Sequence, residues 1–378
     1  MFELTEDQRA VVEMVRDFAT TAIAPHAAEW DETKHFPVDV LREAGTLGMG
    51  GIYVREEFGG SGLSRTDAAL IFEELSKADP TIAAYISIHN MVVWMIDAFG
   101  NDEQRAQWVP QLASMEALGS YCLTEPGAGS DAAALSTKAV LDGDSYVLNG
   151  TKQFISGAGV SSVYVVMART ADTGSQGITA IVVPADAPGL SFGPNEKKMG
   201  WNAQPTRQVI FENVRVPVAN RLGEEGTGFG IAMKGLNGGR VNMGACSLGG
   251  GQAALEKSIA YLKSRSAFGG PLINQQSLLF DIADMDTELE TARTLVLRAA
   301  DALDRGAPDT VRLCAMAKRV ATDAGFNVAN KAIQLHGGYG YLSEYGLEKI
   351  ARDLRVHQIL EGSNEIMRLI VGRLAVGA

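Results

Sequence analysis

The spacing of apolar residues changes twice along the chain, and this constrains the fold more than any other feature. Apolar residues recur every three or four positions up to about residue 118, every second position from Gly119 to about Gly223, and every three or four positions again beyond Gly228. The outer patterns predict helices and the middle one predicts strands. We therefore expect an α+β multidomain protein with an N-terminal all-α domain (1–118), a middle β-barrel domain (119–223) and a C-terminal α-helical bundle (224–378).

Short local signals mark helix starts in the N-terminal third. Thr5 with Gln8, and Ser64 with Asp67, have the spacing of capping boxes, in which a side chain and a backbone amide at the helix start satisfy each other. The glycine-rich stretch 59–62 lies just before the second of these signals. It favours a tight connector, although glycine-rich loops bind phosphate in other proteins.

One long apolar run, residues 80–100, has the length of a membrane-spanning helix. It contains His89, Asn90 and Asp97, which would be costly at the centre of a bilayer. We therefore predict a helix buried inside the protein and no membrane insertion. The N-terminus shows neither the basic and apolar regions of a signal peptide nor an Arg-rich transit segment. This predicts a cytoplasmic protein, or a protein of the mitochondrial matrix if the chain is a processed eukaryotic form.

The middle third has the alternating pattern of a compact β domain. Asn149-Gly150 lies between two alternating segments, and this dipeptide is typical of two-residue hairpin turns. We therefore predict a turn there. The predicted strands cover residues 121–123, 135–140, 146–148, 162–168, 178–183 and 207–211.

The C-terminal third predicts four long helices with short connections, which favours an antiparallel four-helix bundle. The first of them, residues 228–264, contains many glycines, each of which costs a helix about 0.5–1 kcal/mol relative to alanine. Either close helix packing or the approach of a ligand would account for them. The chain has no dinucleotide-binding glycine motif after a strand, no phosphate-binding P-loop and no nucleophile elbow.

Charge and cysteine content exclude several function classes. The formal net charge of −12 argues against nucleic acid as a partner, because phosphate binding needs a basic surface. The three cysteines, Cys122, Cys246 and Cys314, are widely separated, which fits a reducing compartment. The five histidines form no zinc motif, so we expect no metal site.

One stretch, residues 334–365, places a single carboxylate at a break between helices. A helical pattern from about Glu344 to Leu360 precedes Glu361, and Gly362 and Ser363 have the preferences of a helix end and a new helix start. A carboxylate held there beside apolar residues would have a raised pKa and would act well as a general base. On spacing alone, Glu361 could equally be one of 45 acidic residues on the surface.

Two motifs within this domain order resemble the acyl-CoA dehydrogenase family. Cys122–Asp131, with the sequence CLTEPGAGSD, is similar to the family's flavin and substrate loop, and Gln334–Asp353 is similar to its second signature. Shorter segments, Ala84–Met91 and Arg355–Glu365 among them, resemble the subgroup that acts on isobutyryl-CoA. The resemblance extends from about Glu3 to Arg373 and implies three domains: helices, a β-barrel and a four-helix bundle.

The resemblance implies FAD-dependent dehydrogenation of an acyl-CoA between its α and β carbons. The implied general base is Glu361, which removes the α-proton, while the β-hydrogen leaves as hydride to flavin N5. Family members with their base elsewhere carry Glu just before the Arg of a motif like Asn237–Arg240, and Gly239 occupies that position here. The subgroup resemblance implies conversion of isobutyryl-CoA to methacrylyl-CoA in valine breakdown. Butyryl-CoA or another short chain, 2-methylbutyryl-CoA, or a non-catalytic acyl-CoA-binding scaffold are the alternatives.

The same resemblance implies which residues bind the ligands. Phe154 stands where many relatives have Trp, and Arg265 would bind the FAD pyrophosphate through two hydrogen bonds. The implied FAD-binding residues are Tyr121, Cys122, Leu123, Thr124, Gly129, Ser130, Phe154, Ile155, Ser156, Arg265, Phe268, Gln275, Gln276, Gln334, Leu335, His336, Gly337, Gly338, Ser363, Asn364 and Glu365. The implied substrate-binding residues are Ser130, Asn237, Gly238, Gly239, Arg240 and Arg373, with Asn237–Arg240 at the adenine end of CoA.

The resemblance also implies partners. Residues 334–338 are similar to a stretch that binds the FAD of a neighbouring subunit, so a homotetramer built as a dimer of dimers is expected. The implied electron acceptor is an electron-transferring flavoprotein, although oxidase relatives use oxygen. Nothing in the sequence itself decides between these two acceptors.

Overall fold

The N-terminal part of the chain is helical. The structure, a computed structural model, describes residues 4–377, so the predicted domain ends at 1–3 and 378 lie outside the described residues. Both capping boxes are confirmed: the Thr5 and Ser64 side chains accept from the amides of Gln8 and Asp67. The helices are α1 (Glu6–Phe18), α2 (Ala27–Thr33), α3 (Val38–Thr46), α4 (Arg65–Ala78), α5 (Pro80–Phe99) and α6 (Asp102–Ala113), with a π-helical turn at Ala19–Ile23.

The glycine-rich stretch 59–62 is a connector, as predicted. Its four backbone amides donate to the carbonyls of Glu56, Arg55, Gly51 and Val54, so they are already paired within the chain. Helix α5 comes after α4, and by length and composition it alone among the helices of residues 4–377 could cross a bilayer. Most of it is buried within the protein, which agrees with the prediction of a core helix.

The middle part of the chain forms one mixed sheet. Its hydrogen-bonded order is β6-β7-β3-β2-β4-β5-β8, and β1 pairs parallel with β4. The strands are β1 (Gly119–Cys122), β2 (Lys138–Asp142), β3 (Ser145–Ser156), β4 (Val163–Arg169), β5 (Ile178–Pro184), β6 (Leu190–Phe192), β7 (Thr206–Pro217) and β8 (Arg221–Leu222).

The predicted hairpin turn at Asn149-Gly150 is wrong. Strand β3 runs straight through these residues, and the hairpin between β2 and β3 turns at Gly143 instead. Asn149 and Gly150 lie at a bulge in the pairing with β7, where the Asn149 side chain accepts from the backbone amide of Asn213 at 2.8 Å. A Cβ atom on Gly150 would lie 2.6 Å from Thr137 Oγ1, so this glycine permits a close approach inside the sheet.

The sheet encloses a core of its own and presents a second apolar face to the helices. Along β4, Tyr164, Val166 and Ala168 join a cluster with side chains of β2, β3, β5 and β7. The alternate residues Val163 and Val165 pack with side chains of α5 and α6. This alternation is expected of a strand buried on both faces, and the middle domain is the predicted β domain between two helical ones.

The C-terminal part of the chain differs in detail from the predicted bundle. Three of its helices are long. The fourth predicted helix, from about Glu344 to Leu360, is α-helical only over Leu347–Arg355 and continues as a 3₁₀ turn at Val356–Gln358, and the new helix expected after Gly362 is present. The elements are α7 (Gly228–Ser264), the short strands β9 (Ser266–Ala267) and β10 (Gly270–Pro271), α8 (Gln276–Asp304), α9 (Thr310–His336), α10 (Leu347–Arg355) and α11 (Asn364–Val376).

Several glycines of α7 permit close approach of other parts of the chain, which is one of the two explanations that the sequence left open. A Cβ atom on Gly249 would lie 2.1 Å from the carbonyl oxygen of Glu73 in α4, and one on Gly251 would lie 3.0 Å from Gly325 Cα in α9. These two glycines let helices pack closely, and side chains of the N- and C-terminal helices share one large core. Gly239, in contrast, faces the carboxylate of Glu361.

Candidate active site

Glu361 lies in an unusual backbone turn just before α11. Its φ is 57° and that of Gly362 is 90°, so two consecutive residues adopt the left-handed conformation. This conformation is open to glycine but unfavourable for a glutamate, so surrounding contacts must hold it. Ser363 takes the N-cap position of α11, as predicted, without a side-chain capping bond. The turn points the Glu361 side chain back towards α7.

The carboxylate of Glu361 is shielded from solvent. Its Oε2 atom is buried and has no hydrogen-bond partner among residues 4–377, while other atoms of the residue keep partial exposure. A Cβ atom on Gly239 would lie 2.7 Å from Oε2 and 2.9 Å from Oε1 of this carboxylate. A side chain at position 239 would therefore occupy the space of the Glu361 carboxylate. A glutamate at position 239 and one at position 361 would thus compete for the same space.

Burial and two cations set the charge state of Glu361. Burial raises its pKa to about 7, although the charges of Arg240 and Lys318 act in the opposite direction. Arg240 is buried, and its Nε donates to the carbonyl oxygen of Glu361 at 3.2 Å while its Nη1 donates to Asn237 Oδ1 at 2.8 Å. The structure thus places the buried guanidinium of Arg240 beside the base. The predicted contact of Arg240 with the adenine end of CoA stays a prediction.

Side chains from distant parts of the chain complete the surroundings of Glu361. The Tyr121 hydroxyl is buried without a hydrogen-bond partner among residues 4–377, and burial, followed by the nearby Glu361 charge, raises its pKa well above the ordinary value. Tyr53 also interacts with the Glu361 charge, and the guanidinium of Arg65 lies 3.4 Å from the centre of its ring. Sequence reasoning missed Tyr53, Arg65 and Lys318. A lysine among small apolar residues in mid-helix was the one available signal for Lys318.

A buried ion pair holds the predicted flavin loop. Lys152 Nζ donates to Glu125 Oε1 at 2.8 Å and to the carbonyl oxygen of Leu123 at 3.0 Å. The loop is thereby fixed next to β3, where the amide of Gln153 donates to the carbonyl oxygen of Thr124 at 2.8 Å. The predicted segment from Tyr121 to Thr124 therefore lies directly beside the other predicted segment, 154–156.

Several predicted ligand-binding residues of this region are open to solvent. Phe154 is 63% exposed and has a φ of 58°, while Ile155 is buried in the sheet core. Ser156 is half-buried, and Gly129 and Ser130 are exposed at the end of the loop. A large aromatic side chain presented outward from a strained backbone beside a fixed loop suits a flat ring system as ligand.

A second group of predicted residues lines a separate groove in the C-terminal domain. The groove has a volume of about 580 Å³, and Phe268 at its edge is 92% exposed with a φ of 51°. Tyr261 stacks on His336 at 4.2 Å between ring centres, which gives the groove an aromatic wall. The predicted residues that line it are Arg265, Phe268, Gln334, Leu335, His336, Gly337 and Gly338, whereas Gln275 and Gln276 lie at the start of α8.

Helix α11 carries the remaining predicted residues, and they face different ways. The Asn364 side chain points inward, where its amide donates to Asp323 at 2.7 Å and its carbonyl oxygen accepts from Lys318 at 2.9 Å. Glu365 is exposed in the first turn, and Arg373 is exposed in the last turn of α11. The Asn364 side chain is thus bonded to α9, and the predicted contact of residues 363–365 with FAD stays a prediction.

The structure combines a shielded carboxylate whose pKa is about 7 with outward-facing aromatic side chains and a separate groove lined by aromatic side chains and Arg265. Three family models match successive parts of the chain: the acyl-CoA dehydrogenase N-terminal domain (residues 5–116), middle domain (120–214) and C-terminal domain (226–375). The chain belongs to the acyl-CoA dehydrogenase family and is an oxidoreductase of that family. Members of this family are FAD flavoproteins.

Individual relatives show which members of the family this chain is similar to. Mitochondrial isobutyryl-CoA dehydrogenase of Bos taurus is 54% identical over 98% of this chain and 89% of its own length. The structure of butyryl-CoA dehydrogenase from Megasphaera elsdenii superposes with a TM-score of 0.97 at 38% identity, covering both chains completely. A chain from a structural study of the electron transferring flavoprotein of Acidaminococcus fermentans superposes with a TM-score of 0.98 at 39% identity, again over both full chains.

Proposed function

We propose that this protein dehydrogenates isobutyryl-CoA to methacrylyl-CoA, a step of valine breakdown, with FAD as cofactor. The buried, unpartnered carboxylate oxygen of Glu361 carries this proposal, because a base at a carbon acid must be shielded and free to accept a proton. The 54% identity to an isobutyryl-CoA dehydrogenase supports the choice of substrate.

The residues of the chain have distinct roles in this proposal. Glu361 removes the α-proton of the thioester, and its pKa of about 7 makes it an effective acceptor near neutral pH. FAD, when bound, supplies the acceptor for the β-hydride. Residues 121–124 and 154–156 would hold the flavin ring, and the Thr124 and Ser156 hydroxyls would offer hydrogen bonds to it. Arg240 and Lys318 stabilise the ionised base before substrate arrives.

The structure suits a two-part binding site for FAD. The exposed Phe154 and the fixed loop before it offer a surface for the ring system, and Arg265 and the glycines of residues 337–338 offer a cation and backbone amides for phosphate groups. The second group lies in the separate groove described above. We propose that this groove serves the FAD of a neighbouring subunit in a homotetramer built as a dimer of dimers.

A short straight-chain or 2-methylbutyryl substrate is the alternative within the same chemistry. The close superposition on butyryl-CoA dehydrogenase supports it. Steady-state kcat/KM for isobutyryl-, 2-methylbutyryl-, butyryl- and isovaleryl-CoA separates these substrates. We expect the highest value for isobutyryl-CoA, and a preference for butyryl-CoA would refute the choice of substrate.

The test of the base is the Glu361→Gln variant, compared with Glu43→Gln as a matched control. Glu43 is an exposed carboxylate on α3, so its loss should leave the reaction unchanged. We expect Glu361→Gln to keep its flavin spectrum but to lose about 10²–10⁴-fold in rate, measured as bleaching by isobutyryl-CoA under anaerobic conditions. Unchanged bleaching would refute the proposed base. A colourless protein that FAD cannot reconstitute would favour an acyl-CoA-binding scaffold.

We further propose an electron-transferring flavoprotein as the physiological acceptor, which the likeness to the Acidaminococcus chain supports. Oxidation of the reduced protein by such a flavoprotein, compared with oxidation by oxygen, tests this. The Bos taurus relative is mitochondrial, and for this chain we propose the cytoplasm, or the mitochondrial matrix if it is a processed eukaryotic form. We propose no nucleic acid partner, no membrane insertion and no metal site.

A further inference from the structure

Lys318 is a buried lysine whose contacts lead directly to the base. It lies in the middle of α9 with no exposed surface, and no salt bridge joins it to an acid among residues 4–377. Its Nζ donates to the carbonyl oxygen of Gly362 at 2.8 Å and to Asn364 Oδ1 at 2.9 Å. Burying an ammonium group is costly unless its surroundings stabilise the charge, so this position calls for an explanation.

Lys318 donates its hydrogen bonds to residues of the turn that contains Glu361. Gly362 and Glu361 have left-handed backbones. Among residues 4–377, two side chains donate to their carbonyl oxygens: Lys318 to that of Gly362 and Arg240 to that of Glu361. Asn364, at the start of α11, is held in turn by the hydroxyl of Thr322 at 3.1 Å, one turn further along α9. Helix α9 thus fixes both sides of the turn through one ammonium group and its neighbours.

We propose that Lys318 is a positioning residue for dehydrogenation: its buried ammonium group holds the turn at Glu361–Asn364 and stabilises the ionised form of the Glu361 carboxylate. The inference rests on the proposed role of Glu361 as the base. A purely structural role, in which Lys318 only joins α9 to α11, is the competing explanation. It would leave the titration of Glu361 unchanged when the charge of Lys318 is removed.

The charges around the two groups set the expected direction. The Lys318 ammonium is faced by Glu361 and Arg240, with Asp323 and Glu365 further contributing. Burial lowers the pKa of Lys318 to about 8, which leaves it charged where Glu361 titrates, at about 7. Glu361 is faced by Arg240 from α7 and Lys318 from α9, and both lower its pKa. Removal of the Lys318 charge must therefore raise the pKa of Glu361 further.

The test uses Lys318→Gln and Lys318→Met in the full-length, flavin-loaded protein. Both remove the charge, but only Gln keeps hydrogen-bond donors for Gly362 and Asn364. We expect both variants to move the ascending limb of the pH profile of kcat/KM upward by about one to two pH units. Only Lys318→Met should also lower the plateau, because it leaves the turn unsupported. Lys318→Arg keeps a positive charge, so its ascending limb should lie close to that of the native protein.

A lysine elsewhere on α9 provides the matched control. Lys331 lies about 20 Å further along the helix and pairs with Asp281 of α8, so Lys331→Gln removes a charge from the same helix without approaching the base. Its pH profile should coincide with that of the native protein. The proposal would be overturned if the ascending limb of the Lys318→Gln pH profile coincided with that of the native protein, or if Lys331→Gln shifted its limb as much as Lys318→Gln does.

A reciprocal measurement covers the case in which Lys318 variants do not fold. Coupling between two sites is mutual, so replacing Glu361 with Gln must lower the pKa of Lys318 by as much as Lys318 lowers that of Glu361. The side-chain nitrogen resonance of Lys318, titrated in the native protein and in Glu361→Gln, measures this without reference to activity. Equal pKa values would overturn the inference. An inactive native protein would instead overturn the proposed function.

Discussion

Breaking the ion pair between Lys152 and Glu125 gives a quantitative test of how the predicted flavin loop is held. Both side chains are buried, at 0% and 4% exposure, and the Lys152→Met variant would leave a carboxylate without its cation. Removing one partner of such a pair typically costs about 3–5 kcal/mol. Glu125 would keep its bonds from the amides of Ser136 and Thr137 and the Ser136 hydroxyl, so we expect the lower end, about 3 kcal/mol.

Amide hydrogen exchange is the appropriate assay, because the amides of Ser136 and Thr137 are bonded to the Glu125 carboxylate. A loss of about 3 kcal/mol corresponds to roughly 150-fold faster exchange of these amides through local opening. The neutral pair Glu125→Gln with Lys152→Met should recover part of the loss, since no buried charge remains. The variant should also retain less flavin, because Lys152 holds the carbonyl of Leu123. Exchange within threefold of the native rate would refute this reasoning.

Two further predictions follow from the packing and from the same ion pair. Gly249→Ala should destabilise the protein by more than about 2 kcal/mol in thermal unfolding. Gly230 lies in the same helix with open space at its Cβ, so Gly230→Ala should increase the stability by up to about 1 kcal/mol. Equal effects of the two substitutions would contradict the packing argument. Burial raises the pKa of Glu125, but the Lys152 charge and the hydrogen bonds from Lys152, Thr137 and Ser136 together outweigh it and lower the pKa to about 2. The unfolded protein binds the Glu125 proton more tightly than the folded protein does, so the stabilisation from this ion pair is complete above pH 4.5 and should be lost between pH 4.5 and 2. If Lys152→Met unfolds in acid without this extra loss of stability between pH 4.5 and 2, the result would support the prediction.

The order of helices and strands could be predicted because local signals and the structure agree. The capping residues Thr5 and Ser64 act within four residues of their partners, so tertiary context has little influence on them. Asn149-Gly150 failed as a turn for the opposite reason. Its backbone is fixed by Asn213 and Thr137, contacts that come from a neighbouring strand and from the loop before β2. The local preference for a turn was overridden by packing within the sheet.

The residues of the candidate site likewise fall into those that the sequence could identify and those that only the folded structure brings together. The break at Gly362 could be predicted from residue preferences, and family resemblance selected Glu361 from among the acidic residues. Lys318 and Tyr53 could not be found, because they are 43 and 308 residues away from Glu361 and only the packed fold brings them near it. Buried charges also contradict the usual pattern of apolar interiors, which is why a sequence pattern alone assigns them to the surface.

Helix α7 connects the parts of the molecule on which the proposed reaction depends. It is 37 residues long, about 55 Å, and begins against β5, passes Glu361 at Gly239 and ends at Arg265 beside the C-terminal groove. Inserting or deleting a single residue near its middle would rotate everything beyond by 100° and displace it by about 1.5 Å along the axis. The sheet, the carboxylate and the groove could then no longer all keep their registers. We therefore expect this helix to tolerate exchange of exposed side chains far better than a change in length, because its length sets the distance between Glu361 and the groove.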